Sequence, residues 1–400
     1  MKWAILLGSP AISGGSYVIF EHAIRAYKKG EKITIITSGS VDMEELYWHK
    51  EAAILEWKTY DEVKNETYDI LIATWWRTVY EAYRINAKRY IYFVQSIESK
   101  FYDSKEQPII QLAEATYMLP FEIITEANWI KNYLVDYYNK SPYLVHNGIR
   151  KDIYTSEGKC YAAREKEKLR ILVEGPVDVG YKNIPKTIRL CMESEADEIW
   201  LMTSSDISEY PGVDRVFSRV PIFETPEVYR SCDVIIKLSY VEGMFGPPLE
   251  MYHCGGTSIT YDVTGHDEYI IHEKNGLVVK TDNDKKVIEY INKLKRDRGY
   301  LEELINGAKE TAKNWVSWEQ ASENFLNTVY DISKKEVKIS QKRIEIESKF
   351  HFRSYVIAED YFNELKILKL EDNRKRLWVK IKRKIPIPIK QKVKDILKLK

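Results

Sequence analysis

Two carboxylates, Glu242 and Glu250, stand on either side of a turn rich in glycine and proline. The apolar residues 234–236 before the turn predict a strand, and residues 249–252 predict the start of a helix. A strand, a glycine turn and a helix N-terminus together point backbone N–H groups and the positive end of a helix dipole at one place, which suits a phosphate. Glu242 on the loop and Glu250 on the helix can both face this place. The segment therefore predicts a site for a phosphorylated ligand that also carries hydroxyl groups.

Three further elements follow these acids in order: a Cys-Gly turn, a Gly-x-x-Glu segment and an Asn-Gly-Leu tripeptide, at residues 254–256, 265–268 and 275–277. Alone, the two acids would be interpreted as a solvated loop acid and an acid favoured by the helix dipole. The whole set over residues 242–277 resembles the donor-sugar half of retaining glycosyltransferases of family 4. Those enzymes have the two-domain GT-B fold.

The resemblance implies a role for each part of the segment. Glu242 is the expected catalytic residue, lying near the transferred sugar and orienting its hydroxyl groups. Glu250 is expected to accept hydrogen bonds from the ribose of the donor. The donor diphosphate is expected to lie against the backbone of the loop between them, formed by Gly243, Met244, Phe245 and Gly246.

A second donor element resembles the family at one position and departs from it at another. Lys182 occupies the place of a lysine that holds the donor diphosphate in the family, whereas Pro176 stands where the family has an arginine. A single lysine still neutralises a diphosphate but loses the bidentate grip of a guanidinium group. Either another cation takes over, with Arg219 and Lys237 as candidates, or the helix dipole carries more of the charge.

The first half of the chain contributes expected acceptor and donor contacts. Gly15, in a glycine turn between the first strand and the first helix, is a place where backbone can approach the donor closely. The segment at residues 92–102, with Gln95 and Glu98, resembles the acceptor half of rhamnosyltransferases that assemble rhamnan and other surface polysaccharides. Ser96 replaces an aspartate of that pattern, which leaves the sugar open. The aromatic residues around it are equally consistent with core packing.

Strands alternate with helices along most of the chain, which predicts parallel sheets covered on both faces. We predict an α/β protein with the GT-B fold, in which two Rossmann-like doubly wound domains face each other across a cleft. The N-terminal acceptor domain is expected at residues 1–150, a linker at 151–168 and the donor domain at 169–335, whose last helix crosses back. A basic, helical C-terminal tail is expected at residues 336–400.

Composition and charge restrict where in the cell the protein is expected and what kind of partner it is expected to bind. Residues 364–400 carry 14 Lys and Arg against 4 Asp and Glu, while the remainder of the chain has a net charge of −9. Apolar residues and a tryptophan are interspersed in this basic tail, which indicates docking on an anionic membrane surface or, alternatively, a solvated helix face. The scattered cysteines predict buried thiols, and the first residues are too short an apolar run for a signal peptide. We expect a cytoplasmic protein, peripheral on the inner face of the membrane.

The predicted activity is transfer of a hexosyl unit, rhamnosyl in the resembling enzymes, from a nucleotide diphosphate sugar to a glycan or lipid-linked acceptor. No cofactor and no metal are expected, because the Asp-x-Asp signature of metal-dependent transferases is absent, and no nucleic-acid partner is expected. Two alternatives remain: an epimerase or phosphorylase acting on related substrates with the same fold, or a scaffold that binds glycan or nucleotide without catalysis.

Overall fold

The computed structural model describes residues 1–336 and 340–384, with side chains described as far as residue 371. It contains two parallel sheets, each built from strands that alternate with helices along the chain. The seven strands of the first sheet are β1 (Lys2–Leu6), β2 (Lys32–Thr37), β3 (Glu56–Thr59), β4 (Thr67–Ala73), β5 (Asn86–Val94), β6 (Glu122–Thr125) and β7 (Tyr143–Leu144). The six strands of the second are β8 (Arg170–Glu174), β9 (Glu198–Thr203), β10 (Arg215–Ser218), β11 (Val234–Lys237), β12 (Thr257–Tyr261) and β13 (Leu277–Val279).

Both sheets have the strand order of a doubly wound fold. The first runs β3-β2-β1-β4-β5-β6-β7 and the second β10-β9-β8-β11-β12-β13. The order reverses between β1 and β4 in the first sheet and between β8 and β11 in the second. Ligands of such sheets bind at the carboxyl ends of the strands near this reversal. The two Rossmann-like units predicted from the sequence are confirmed.

Helices connect and cover the strands. Those of the first half are α1 (Gly14–Lys28), α2 (Trp76–Glu81), α3 (Gln107–Ala115) and α4 (Asn128–Tyr138). Those of the second half are α5 (Ile184–Met192), α6 (Thr225–Ser231), α7 (Gly246–His253), α8 (Asp284–Arg296) and α9 (Arg298–Asn314). Two more follow, α10 (Trp318–Lys334) and α11 (Gln341–Lys384). Helices α1 to α10 bury apolar residues against the sheets, because strands that are covered on both sides present apolar residues on both faces.

Helix α10 returns from the second half of the chain to the first sheet. Trp318 and Phe325 are buried in the same apolar cluster as α1 and β1, and Trp318 Nε1 donates to the Tyr17 hydroxyl at 2.8 Å. Just before the helix, Ser317 pairs with Ile149 in an isolated parallel bridge. The chain passes so close to Gly148 that a Cβ there would lie 2.4 Å from the Ser317 carbonyl carbon. This return ties the two sheets together.

Helix α11 begins against the first unit and continues as an exposed helix. Ile344 is fully buried, and the first turns of α11 pack on α2 and α3. From Phe350 onward the large apolar side chains that the structure describes are mostly exposed, including Ile357 and Leu368. No helix in the described residues combines the length and apolarity needed to cross a membrane. Much of the basic tail, residues 385–400, lies outside the described residues.

Three local features differ from expectation. Gly15 lies in the first turn of α1, because Ser13 caps the helix by accepting from the Ser16 N–H, so the predicted glycine turn is already helical. Residues 43–54, which lie between strands where a helix is expected, form a 3₁₀ segment kinked at His49. Cys160 is exposed while the other three cysteines are buried.

Candidate active site

A cavity of about 760 Å³ lies between the carboxyl ends of the two sheets. From the first unit it is lined by residues that follow strands, among them Gly8, Trp75, Gln95 and Glu126. From the second it is lined by Glu174 and Lys237 at strand ends and by the loop from Glu242 to α7. The two acids, Lys182, the loop between the acids and the expected contacts Gly15, Gln95 and Glu98 all line this one cavity. The structure therefore brings together groups that the sequence places as far apart as Gly15 and Glu250.

Glu242 lies between two lysines. Its oxygens accept from Lys182 Nζ at 2.8 and 2.9 Å, and Oε1 lies 3.7 Å from Lys237 Nζ. Burial alone would raise the pKa of Glu242, but the charges of Lys182 and Lys237 outweigh it, so the pKa is lowered. Glu242 is therefore a carboxylate, although only 7% of it is exposed.

Glu250 has a different electrostatic environment. It lies in the second turn of α7 and accepts from the Tyr229 hydroxyl at 2.8 Å. Burial raises the pKa of Glu250 to about 7, and the nearby charge of Glu174 adds to the rise. The pKa values of the two acids are thus shifted in opposite directions. Glu242 lies beside two lysines, whereas the main polar partner of Glu250 is the Tyr229 hydroxyl. Near neutral pH, Glu250 can either accept or donate a hydrogen bond to a ligand hydroxyl.

The loop between the two acids is held against the first unit. A Cβ on Gly243 would lie 2.2 Å from the Gln95 carbonyl oxygen, so only glycine fits there. Gly243 O accepts from Trp129 Nε1 at 2.9 Å, and the Met244 N–H donates to Glu126 at 3.2 Å. Phe245 and Gly246 complete the loop, with Gly246 as the first residue of α7. The loop is thus positioned from both sides of the cleft.

Lys182 is placed by a short 3₁₀ turn, Gly180–Lys182. The next residue, Asn183, has a left-handed backbone, and its side-chain amide donates to Leu238 O at 2.9 Å just beyond β11. This contact fixes the turn beside the end of β11. Tyr181 stacks on Phe101 of the first unit with ring centroids 4.8 Å apart, so the turn also spans the cleft.

Gln95 and Glu98 lie on the opposite wall, after β5. The Gln95 side chain is within about 3.5 Å of the position a Cβ on Gly15 would take, so both face the same space. Glu98 Oε2 accepts from the Trp76 N–H at 2.8 Å and from the Tyr92 hydroxyl at 3.0 Å. Burial raises the pKa of Glu98 to about 8 in spite of these donors. Glu98 is therefore a neutral carboxyl group near pH 7.

The position of the absent arginine is occupied by Pro176, which lines the cavity without a charge. Of the two candidate replacements, Lys237 lines the cavity at the end of β11. Arg219 pairs with Asp206 at the surface, with nearly half of its side chain exposed, and is not among the lining residues. Among these candidates, only Lys237 is placed to meet a ligand in the cavity.

Glu126, Glu174 and Tyr229 are among the lining residues that were not singled out from the sequence. Burial raises the pKa of Glu126 to about 7, against its hydrogen bonds from Asn147 and Met244. Glu126 and Glu174 stand at the ends of β6 and β8, and polar residues at the carboxyl ends of parallel strands are a signal that could have found them. Tyr229 is a buried residue of α6, and no local pattern marks it.

Part of the second unit resembles a known family. Residues 213–311 match the model for glycosyl transferases group 1. A segment of 107 residues is 29% identical to an uncharacterized glycosyltransferase, MJ1607, of Methanocaldococcus jannaschii. That match spans 27% of this chain and only 27% of the length of the relative. The region matched by the family model contains Lys237, Glu242 and Glu250. It includes no strand of the first sheet.

Solved structures resemble nearly the whole of both units. Sucrose-phosphate synthase from Thermosynechococcus elongatus superposes with a TM-score of 0.66 at 15% identity, covering 83% of this chain and 98% of its own. HepE of Anabaena, solved in complex with UDP-glucose, also gives 0.66 at 12% identity, covering 83% of this chain and 100% of its own. At such identities the likeness establishes the fold, which is the GT-B fold predicted from the sequence.

Proposed function

We propose that the protein is a retaining glycosyltransferase that moves a hexosyl unit from a nucleotide diphosphate sugar to a surface-glycan acceptor. The observation that carries the proposal is the gathering of Glu242, Glu250, Lys182 and the loop at Gly243 in one cavity at the carboxyl ends of both sheets. The match to glycosyl transferases group 1 supports glycosyl transfer, and the complex of HepE with UDP-glucose supports a nucleotide diphosphate sugar as the donor.

In this proposal the donor lies along the second unit. Lys182 and the backbone N–H groups of Gly243, Phe245 and Gly246, just before Pro247, bind the diphosphate, and the dipole of α7 also favours negative charge there. Glu250 bonds the ribose hydroxyl groups, and Glu242 orients the hydroxyl groups of the transferred sugar. Gly15 lies next to the donor on the facing wall, beside Gln95, and Gln95 and Glu98 lie on the acceptor side.

The reaction exchanges one bond at the anomeric carbon. The bond from this carbon to the diphosphate oxygen breaks while the acceptor hydroxyl oxygen bonds to the same face, and the acceptor proton passes to the departing phosphate oxygen. Stabilisation of the departing charge by cations and N–H groups supplies the largest part of the rate enhancement. This route requires no side-chain nucleophile, cofactor or metal.

A nucleotide panel followed by a transfer assay tests the proposal. UDP, dTDP, GDP and ADP are compared for thermal stabilisation, and the corresponding sugar donors, dTDP-rhamnose included, are then incubated with glycan acceptors. We expect stabilisation by at least one diphosphate and a product whose anomeric configuration, read by NMR, matches that of the donor. Inverted configuration would refute the retaining course. Release of free sugar without an acceptor would favour the epimerase, and no stabilisation by any nucleotide would favour a scaffold.

For the acceptor side, we propose that the basic tail docks the protein on an anionic membrane where a lipid-linked acceptor resides. Apolar side chains on the described part of α11 are exposed, among them Phe350, Ile357 and Leu368, and the sequence from residue 364 is strongly basic. Such a segment binds anionic lipid by combined apolar and charge contacts. Full-length protein is expected to sediment with vesicles rich in phosphatidylserine and not with neutral ones. Equal sedimentation of a variant ending at Asn363 would reject the proposal.

A further inference from the structure

The strand order of the second sheet reverses between β8 and β11, and two charged residues stand at that point. Glu174 is the last residue of β8 and Lys237 the last of β11. The two strands pair in parallel with Val173 opposite Ile236, so Glu174 and Lys237 are side by side. The crevice beyond such a reversal is where doubly wound sheets bind ligands. Lys237 therefore stands where a sheet of this order binds its ligand.

Lys237 is buried and charged. Only 2% of its side chain is exposed, yet it lines the cavity. Its Nζ lies 2.5 Å from a Glu174 carboxylate oxygen and donates to the Glu174 carbonyl at 3.1 Å. Burial alone would lower the pKa of Lys237, but Glu174 and Glu242 outweigh it and raise the pKa above its usual value. Burying an ammonium group is costly without such partners, so the fold maintains a cation at this place.

Lys237 and Lys182 approach the same carboxylate oxygen. Glu242 Oε1 accepts from Lys182 Nζ at 2.9 Å and lies 3.7 Å from Lys237 Nζ. The contact with Lys182 is a full hydrogen bond, whereas the longer contact with Lys237 leaves that ammonium with a donor direction to spare. An oxygen-rich anion entering the cavity can therefore reach both ammonium groups where Glu242 now lies.

We propose that Lys237 is a second diphosphate-binding residue, in place of the arginine absent at Pro176, and that a bound diphosphate displaces Glu242 from both lysines. This inference rests on the proposed function. Lys237 keeps its ion pair with Glu174, which holds the ammonium group in position. Its longer contact with Glu242 is replaced by a contact with a phosphate oxygen. Lys182 exchanges its hydrogen bonds with Glu242 in the same way. Glu242 is thereby released toward the sugar only when the donor is in place.

Binding of a nucleoside diphosphate and of its monophosphate separates this role from a structural one. The probe is whichever of UDP, dTDP, GDP and ADP stabilises the wild-type protein most, compared with its own monophosphate by calorimetry. Lys237→Met is expected to weaken diphosphate binding by about ten- to a hundredfold, the effect of losing one hydrogen bond to a charged group. Monophosphate binding is expected to change less than about threefold. Lys237→Arg should retain most of the diphosphate affinity.

A double variant separates a loss of diphosphate binding from a loss of the folded structure. Lys237→Met leaves Glu174 without its buried partner, so Lys237→Met with Glu174→Gln removes both charges together. It is expected to melt close to the wild-type temperature and to show the same selective loss of diphosphate affinity. Arg219→Met is the matched control and should bind the diphosphate as the wild type does.

Three results would overturn the inference. Unchanged diphosphate binding in the folded double variant would show that Lys237 does not meet the ligand. Equal weakening of diphosphate and monophosphate would show a purely structural role. Both results leave the proposed function standing, provided that the wild type binds the diphosphate. Absence of any nucleotide binding by the wild type would remove the proposed function and the inference together.

Discussion

Glu98→Gln tests whether the acid on the acceptor wall is neutral in the folded protein. Burial raises the pKa of Glu98 from its ordinary 4.5 to about 8. Between these two values the folded protein holds a proton that the unfolded chain has released, so rising pH favours the unfolded chain. The stability lost is about 1.4 kcal/mol for each pH unit in this window, which amounts to on the order of 5 kcal/mol overall.

Glutamine mimics the protonated acid and keeps an oxygen that accepts from the Trp76 N–H and the Tyr92 hydroxyl. We therefore expect Glu98→Gln and wild type to have similar unfolding free energies near pH 5. Near pH 9 the variant should be more stable by a few kcal/mol, since it has no proton to lose. Urea unfolding at both pH values measures this difference, with exposed Glu45→Gln as the control. A difference that does not vary with pH, or a variant destabilised more at pH 9, would show that Glu98 is ionised in the fold.

Three further substitutions test separate parts of the structure. Glu250→Ala should reduce the rate of transfer by about a hundredfold or more, because a strong hydrogen bond to the ribose is lost. The circular dichroism spectrum should stay unchanged. Near-normal turnover would refute the role of Glu250. Gly148→Ala should lower the unfolding free energy by about 1–3 kcal/mol through overpacking against the chain entering α10, whereas Gly39→Ala, which meets nothing within 4 Å, should not. Glu268→Ala should lower the unfolding free energy by about 1–3 kcal/mol. Glu268 lies across the cleft from α4 and accepts hydrogen bonds from the backbone N–H groups of Asn128 and Trp129 at the start of that helix. An unchanged melting temperature would contradict this expectation.

Much of the fold could be predicted because its strands are short apolar runs separated by turn residues. The strand predicted at residues 234–236 is present as β11, since local pattern and burial agree there, and the helix predicted from residue 249 begins three residues earlier, at Gly246. The helix at Trp76–Glu81 was not predicted. It has only six residues, including bulky aromatic ones, and a donor of its first turn is satisfied by Glu98, which lies 22 positions away. Contacts of this kind leave no periodic signal in the sequence.

The site also contains some residues that local sequence could place and others whose contacts depend on distant parts of the chain. Glu242 and Glu250 could be placed together because one turn and one helix connect them, and the structure puts both in the cavity. The position of Glu126 after β6 is a local signal for the site, but its contact with Met244, 118 positions away, could not be predicted from local pattern. Lys237 could be named as a candidate cation, but its pairing with Glu174 depends on the register of β8 and β11. Strand order across a sheet is a long-range property that short motifs do not specify.

The central claim is that the cleft binds a nucleoside diphosphate through the loop before α7 and the lysines around Glu242. A crystal structure of the protein soaked with the diphosphate that stabilises it most tests this claim directly. We predict density for the two phosphates beside the N–H groups at Gly243–Gly246, with Lys182 turned from Glu242 onto a phosphate oxygen. Phosphates bound elsewhere, or a cleft left empty at saturating nucleotide with the Lys182–Glu242 pair intact, would contradict it.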